Sequence, residues 1–319
     1  MHEHGNGPGM MDITILGAGA MGSLFGGLLA ESGQTVTLLD INDVHIEAIR
    51  EHGLRLETDS GDRQISALKA CRPEKATAPP DLLVVFTKSL HTASALDGIS
   101  SLIGPQTLVL TLQNGLGNVE TISRFTPMER ILVGMTTWPA DVAGPGHVRS
   151  HGQGIIRIRG AARVEAFDIA EVADALSKAG LQCTIDPAVW KAIWEKVAFN
   201  AALNGICAVT GCTVDQLGAT PEGMALASAV IDEVITVARA EGVEASADHC
   251  RESVFHAITH HVGHKPSMLQ DVLAGRPTEV GAINGAVVEK GELSGIAVPH
   301  TKTLLVLVRL MEARRKAGG

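Results

Sequence analysis

The sequence predicts an α/β fold: a doubly wound, mainly parallel sheet followed by an all-helical domain. Three observations carry that prediction. Short apolar runs alternate with helix-length stretches from Ile13 to Ile185, the spacing of strand–helix–strand crossovers. After Pro187 the strand signal nearly vanishes and helix-length segments follow one another to the C-terminus. Between Ile13 and Asp40 the chain reads apolar run, three glycines, apolar-faced helix, second apolar run and terminal acid, which is the context that a glycine-rich dinucleotide turn requires.

In that first unit, Ile13–Leu16 is the strand and Gly17 permits the tight turn off it. Gly19 has no side chain to block a pyrophosphate, and Gly22 lets the helix lie close to the sheet. The free N–H groups and positive dipole end of the helix then face the phosphates. Gly17, Ala18, Gly19, Ala20, Met21 and Gly22 are therefore candidate cofactor-binding residues. Asp40, ending the second run Val36–Leu39, is placed to accept hydrogen bonds from a ribose.

The elements follow in order. Asp43–His52 reads as a helix closed by Gly53, and the runs 54–58 and 64–70 around Ser60-Gly61-Asp62 read as a hairpin. Leu82–Phe86 is a strand ending in Thr87-Lys88-Ser89, and His91–Ser101 is a helix. Strand 107–110 ends in Thr111-Leu112-Gln113-Asn114-Gly115, and Ile131–Thr136 is another strand. A glycine-rich hairpin over 144–159, a helix over 164–179 and a strand over 182–185 complete this half. Ligands of such sheets bind beyond the carboxyl ends of the strands, where Gly17, Lys88 and Asn114 all stand. Residues 11–186 form the dinucleotide-binding domain and 187–319 the helical domain, with helices over 189–209, 224–241, 247–262, 280–294 and 300–316.

Composition narrows the function. The 319 residues carry a net charge of −9, which disfavours nucleic acid as the main partner. Five cysteines without a C-x-x-C pair fit reduced thiols and a cytoplasmic location. Residues 1–10 are polar and glycine-rich, read as a disordered leader rather than a signal peptide, and Met11 offers an alternative start. No apolar run reaches the roughly 18 residues of a membrane span.

Within the segment 189–209, Lys196, Asn200 and Asn204 recur every four residues, so a helix stacks them on one stripe. A solvated face would carry Glu and Arg, and asparagine is a mediocre helix former. The stripe reads as a polar line along a binding surface, with Lys196 as acid and the asparagines binding substrate oxygens.

The chain resembles the ketopantoate reductase (2-dehydropantoate 2-reductase) family through G-A-G-A-M-G at 17–22, T-K-S at 87–89, Q-N-G-L-G at 113–117 and W-E-K-V-A-F-N-A-A-L-N at 194–204. S-M-L-Q-D at 267–271, T-E-V-G-A-I-N-G at 278–285 and G-I-A-V-P at 295–299 extend the match in the same order and spacing. The resemblance implies a Rossmann-type first domain and a helical second domain of the 6-phosphogluconate dehydrogenase C-terminal type. It implies NADPH-linked reduction of a 2-keto acid in pantothenate synthesis, without a metal. It makes Lys196 the proton donor and Asn200, Asn204, Ser267 and Asn114 substrate-side positions. It places Lys88, Asn114 and Glu279 near the cofactor, and Ala140 against it through the backbone. A homodimer through the helical domain is compatible with this picture.

Two departures bear on specificity. NADPH-dependent relatives carry an arginine just past the second strand, where this chain has Asp40-Ile41-Asn42-Asp43. An acid facing a 2′-phosphate is repelled by about 1 kcal/mol in water at 4 Å, and about 4 at an effective dielectric of 20. Asp40 and the lack of a neighbouring arginine thus favour NAD against the family's NADP, with Arg50 or Arg55 able to fold back onto a phosphate. The second departure is at the pocket lip, where His264 and Pro266 precede Ser267 and Val214 stands at a position polar in relatives. These favour a bulkier or more apolar 2-keto acid, as in NAD-linked D-2-hydroxyacid (mandelate-type) dehydrogenases. A non-catalytic dinucleotide sensor is the rival from another class, opposed by the set Lys196, Asn200, Asn204 and Ser267. His256, His260 and His264, spaced by four, read as surface histidines at a helix end rather than metal ligands.

Overall fold

A computed structural model describes residues 10–317. The leader expected over 1–10 lies, Met10 apart, outside the described residues. The chain divides into two compact units. The first comprises the chain up to Gln113 together with Asn118–Val189; the second comprises Asn114–Gly117 together with the chain from Trp190 onward.

The first unit contains strands β1 (Asp12–Leu16), β2 (Thr35–Leu39), β3 (Leu54–Thr58), β4 (Gly61–Ile65), β5 (Leu68–Cys71), β6 (Leu82–Val85), β7 (Leu108–Thr111), β8 (Ile131–Thr136), β9 (Asp141–Gly144), β10 (His147–Ser150), β11 (Ile156–Gly160) and β12 (Cys183–Ile185). Its helices are α1 (Ala20–Glu31), α2 (Asp43–His52), α3 (Thr92–Asp97), α4 (Asn118–Ile122) and α5 (Ala166–Lys178). Eight strands form the main sheet in the order β12-β11-β8-β7-β6-β1-β2-β5. All its pairings are parallel except β8 with β11. The order reverses beside β1, the switch point at which doubly wound sheets bind ligands. Ile13, Ile15, Leu38, Val84 and Leu110 are buried in the core with Phe25 and Leu29 of α1.

A second sheet, β4-β3-β10-β9, departs from the sequence expectation. The run 64–70 is not one hairpin arm. It splits at Ser66-Ala67, leaving β4 on β3 and sending β5 to the edge of the main sheet beside β2. The glycine-rich stretch 144–159 likewise divides, with β10 pairing β3 and β9 while β11 joins the main sheet. The physical reason lies in α1, which is apolar on two sides. A Cβ on Gly26 would stand 2.5 Å from Leu38 Cδ2 of the main sheet. One on Gly27 would stand 2.6 Å from Leu56 Cδ1 of the second. The helix is thus covered by both sheets, and burial of both faces rewards the split.

In the second unit, α6 (Val189–Thr210) is followed by α7 (Val214–Gly218), α8 (Pro221–Ala240), α9 (Ala247–His260), α10 (Ser267–Leu273), a π-turn over Gly281–Gly285, α11 (Ala286–Leu293) and α12 (Pro299–Ala317). The start signals are local. Thr213 and Gln216 form a reciprocal capping box, and Thr220 accepts from Gly223 N with Pro221 in the first turn. Ala198, Ala201, Ala202 and Cys207 of α6 are buried without residual exposure, and Trp194 is buried too. This is the core helix of its unit, with a polar stripe on an otherwise apolar surface. Among the described residues no helix is long and apolar enough to cross a membrane.

Candidate active site

The glycine turn has the geometry that its spacing predicts. Gly17 takes φ +100°, and a Cβ there would lie 2.7 Å from Thr87 N, so only glycine fits between β1 and the end of β6. A Cβ on Gly22 would meet Gly17 O at 1.9 Å, whereas one on Gly19 would meet nothing within 4 Å. The two outer glycines are packed against backbone and the middle one is open. Helix α1 starts at Gly19 with no side-chain cap and no acid in its first turn, so its first N–H groups and dipole remain available to an anion. Open side, uncapped helix and tight backbone together fit a pyrophosphate.

A chain of hydrogen bonds fixes this turn from behind. Gly146 N donates to Nδ1 of His45 at 3.0 Å. The ring is therefore the tautomer with its proton on Nε2, 3.1 Å from Ser23 Oγ. Ser23 Oγ donates in turn to Ala18 O at 2.8 Å. His45 is buried, and burial lowers its pKa from the usual histidine range, opposed by Asp40. Nothing in the sequence pattern singles this histidine out.

At the tip of β2, Asp40 is held by backbone donors. Its Oδ2 accepts from Ala18 N at 2.7 Å, and its Oδ1 accepts from Ile41 N at 2.8 Å and Asn42 N at 2.9 Å. Both carboxylate oxygens accept from the turn, and Oδ2, with one donor, keeps a second lone-pair site for a ribose hydroxyl. The arginine that the sequence lacks beside Asp40 comes from the end of β5. Arg72 Nη1 donates to Ile41 O at 3.2 Å and to Asp43 Oδ1 at 2.9 Å, while Asp40 N donates to Cys71 O at 3.3 Å. The premise that no arginine stands by Asp40 is corrected: parallel pairing of β2 with β5 supplies one from 32 positions on. Of the two arginines expected to fold back, Arg55 is committed to Asp62 through three hydrogen bonds of 2.6–3.2 Å.

Lys88 and Gln113 follow β6 and β7. Gln113, to which local pattern assigns no role, ties these strand ends together. Its Nε2 donates to Thr87 O at 2.5 Å and to Thr92 Oγ1 at 2.8 Å. Ala140 is half-buried just before β9, beside Pro139, whose carbonyl accepts from Ser150 Oγ at 2.7 Å.

In the second unit the loop Asn114–Gly117 is bound to the segment before α11. Asn114 Nδ2 donates to Glu279 Oε2 at 3.2 Å, and Leu116 N donates to Ala282 O at 2.9 Å. Gly115 takes φ +85°, and a Cβ on it would stand 2.4 Å from Ala282 O. Glu279 also lies close enough to Lys196 to raise its pKa, but burial dominates and lowers it to about 8. The lysine retains partial surface exposure, so it can reach a ligand while bearing a proton that leaves near neutral pH. Asn200 and Asn204 follow on the same stripe. Asn204 is 4% exposed and Asn200 half-buried; among the described residues the buried side-chain atoms without a hydrogen-bond partner are Asn284 Oδ1 and Thr301 Oγ1. Asn284 Nδ2, unremarked in the sequence, donates to Ala201 O at 3.3 Å from the π-turn.

Ser267 is exposed at the start of α10. The loop before it is held by Val214 N donating to His264 O at 3.0 Å. Val214 is 1% exposed and belongs to the core. His256 stacks on His260 with centroids 4.2 Å apart, and His261 and His264 extend the surface cluster. Among the described residues no group of three His, Cys, Asp or Glu is arranged to hold a metal.

Fold and site together define an oxidoreductase that uses a nicotinamide dinucleotide. Comparison with known proteins narrows this. Residues 13–163 match the family Ketopantoate reductase PanE/ApbA, and residues 188–312 match Ketopantoate reductase PanE/ApbA C terminal. The 2-dehydropantoate 2-reductase of Streptococcus pyogenes is 37% identical over 95% of this chain and 98% of its own. That of Halobacterium salinarum is 36% identical over 95% and 99%. The ternary structure of D-mandelate dehydrogenase with NADH and anilino(oxo)acetate superposes with a TM-score of 0.90 at 33% identity, covering 95% of this chain and 99% of that one. The chain belongs to the ketopantoate reductase family.

Proposed function

We propose that this enzyme reduces ketopantoate to pantoate with a reduced nicotinamide dinucleotide, Lys196 being the proton donor. The observation that carries the reading is Lys196 itself, a half-exposed lysine brought to about 8 on the stripe shared with Asn200 and Asn204. When bound, the reduced nicotinamide supplies a hydride to the keto carbon. The glycine turn at 17–22 and the α1 N-terminus hold the pyrophosphate. Lys196 meets the negative charge that grows on the keto oxygen and gives up its proton. Asn200, Asn204 and Ser267 offer neutral donors to the substrate oxygens. Glu279 keeps Lys196 charged against burial, and Asn114 orients Glu279. Lys88 and Ala140 complete the cofactor side.

The test is the initial rate of ketopantoate reduction with NADPH and NADH in parallel; no turnover with either, while cofactor still binds, rejects the substrate. D-Mandelate-type chemistry is the second reading, favoured by the 0.90 TM-score to D-mandelate dehydrogenase. An aryl 2-keto acid turned over faster than ketopantoate selects it.

Glu279→Gln removes the charge that raises the Lys196 pKa. Burial then acts unopposed, so the basic limb of the kcat/KM profile is expected to move to lower pH. A limb that stays in place removes Glu279 from this role. A cytoplasmic homodimer belongs to the same reading, and sedentation of the purified protein at one molecule or two by analytical ultracentrifugation checks its assembly.

A further inference from the structure

Ala18 lies between Gly17 and Gly19 of the dinucleotide turn, and the peptide groups on either side of it are held from inside the protein. Its N–H donates to Asp40 Oδ2 at 2.7 Å. Its carbonyl accepts from Ser23 Oγ at 2.8 Å. Ser23 also closes the first turn of α1, its N–H donating to Gly19 O at 2.9 Å. The Ala18–Gly19 peptide is trans, so its C=O and its N–H point to opposite sides. With the carbonyl drawn towards the buried hydroxyl of Ser23, the Gly19 N–H is turned outward. His45 fixes Ser23 in turn. Its Nε2–H donates to Ser23 Oγ at 3.1 Å, which leaves the serine's own proton to Ala18, and its Nδ1 accepts from Gly146 N at 3.0 Å. Burial lowers the His45 pKa, against Asp40 and the Ala18 carbonyl, which keeps Nδ1 an acceptor. Gly146 is held on its other side by β3, its carbonyl accepting from Arg55 N at 2.8 Å. A Cβ on Gly146 would stand 3.0 Å from Ala48 Cβ, so the turn between β9 and β10 is seated on α2. Two side chains thus connect the second sheet to Ala18.

We propose that Ser23 and His45 are positioning residues for cofactor binding: they hold the Ala18 carbonyl inward and so aim the Gly19 N–H at the pyrophosphate. The inference rests on the glycine-turn reading above and adds what orients one of its donors. Neither side chain reaches a ligand, since Ser23 is 0% and His45 4% exposed. The need for them follows from Gly19. Glycine is permissive in φ and ψ, so the peptide before it turns over at little cost. Turned over, it presents a carbonyl oxygen to a diphosphate, where an N–H is required. A hydroxyl buried in α1 must also find partners, and here they are the Ala18 carbonyl and the imidazole N–H. The second sheet gains a part in binding, because Gly146 holds the ring that holds the serine.

The test is isothermal titration of NAD⁺ and NADP⁺, without keto acid, into the full-length wild type, Ser23→Ala, His45→Gln, His45→Asn and Gly22→Ala, following whichever dinucleotide the wild type binds more tightly and recording melting temperatures alongside. Ser23→Ala suits the helix and is expected to weaken binding by about tenfold, the worth of one hydrogen bond to a charged group. His45→Gln presents an amide N–H where Nε2 stands and loses the acceptor for Gly146. It is expected to melt earlier yet bind nearly as the wild type does. His45→Asn presents an oxygen where Nδ1 stands, keeps Gly146 and loses the donor to Ser23. It is expected to melt later than His45→Gln and bind more weakly. A merely structural role makes affinity follow melting temperature across the variants; that order, or wild-type affinity in Ser23→Ala, overturns the proposal, and equal affinity in the two His45 variants removes His45 from it. Gly22→Ala distinguishes the two readings. Affinity lost there but kept in Ser23→Ala leaves the glycine turn as the cofactor site and rejects the positioning residues; affinity kept in both rejects the turn itself.

Discussion

Lys196→Ala is expected to lower turnover of the keto acid by about 10²–10⁴-fold, the contribution of a positioned general acid that also stabilises developing charge. The fold should survive. Lys196 is only partly buried, and alanine is the best helix former, so α6 keeps its backbone and its apolar packing. The pH dependence follows from the lowered pKa. Reduction needs the protonated lysine, so the rate is flat below about 8 and falls as pH rises through it. In the reverse direction the neutral amine is the base, and the dependence inverts. Lys196→Arg separates charge from proton supply: arginine keeps the cation but cannot release its proton near neutral pH, so it should restore substrate affinity more than turnover. Steady-state kinetics of the three proteins between pH 6 and 10 provide the check, and near-normal turnover in the alanine variant would exclude Lys196 as the acid.

The second large effect is expected from Gly22→Ala. The added Cβ would stand 1.9 Å from the Gly17 carbonyl oxygen, a backbone atom that no rotamer change can move. Either α1 retreats from the turn or the turn opens, and both displace the N–H groups that face the pyrophosphate. Dinucleotide affinity should fall by more than about tenfold, with melting temperature lowered because α1 lies between two sheets and cannot shift without opening one. Gly19→Ala is the control: its Cβ meets nothing in the protein, so the fold should be retained while a ligand that approaches the backbone is obstructed. Titration with NAD⁺ and NADP⁺ distinguishes the two. Unchanged affinity in Gly22→Ala would remove the turn from the cofactor site.

Much of this site was legible from local pattern. A strand, a turn and a helix N-terminus are set by neighbouring residues, so the roles of Gly17, Gly19 and Gly22 follow from spacing. A helix repeats every 3.6 residues, so Lys196, Asn200 and Asn204 had to share a stripe once 189–209 was helical. The short elements α7 and α10 were missed because they are barely two turns long and leave too little periodicity to detect.

What remained hidden depends on which distant edges meet. The alternation within 64–70 and 144–159 is that of a strand in either sheet, and only the two buried faces of α1 decide which residues go where. Asn114 and Glu279 are 165 positions apart, and their bond exists because Gly115 allows the loop to lie against Ala282. Asp40 illustrates the division most sharply. Its sequence neighbours predict a carboxylate open to a ribose, with no arginine beside it and only Arg50 or Arg55 able to fold back. Strand pairing brings Arg72 to the same tip, and backbone N–H groups donate to both carboxylate oxygens. The sequence by itself determined the two-part architecture, the glycine turn and the lysine stripe, because each is written within a few consecutive turns or strands. The tertiary structure alone decided the second sheet, the Asn114–Glu279–Lys196 grouping and the charge beside the β2 tip, because long-range pairing is selected by burial and closure of the whole chain rather than by any one segment.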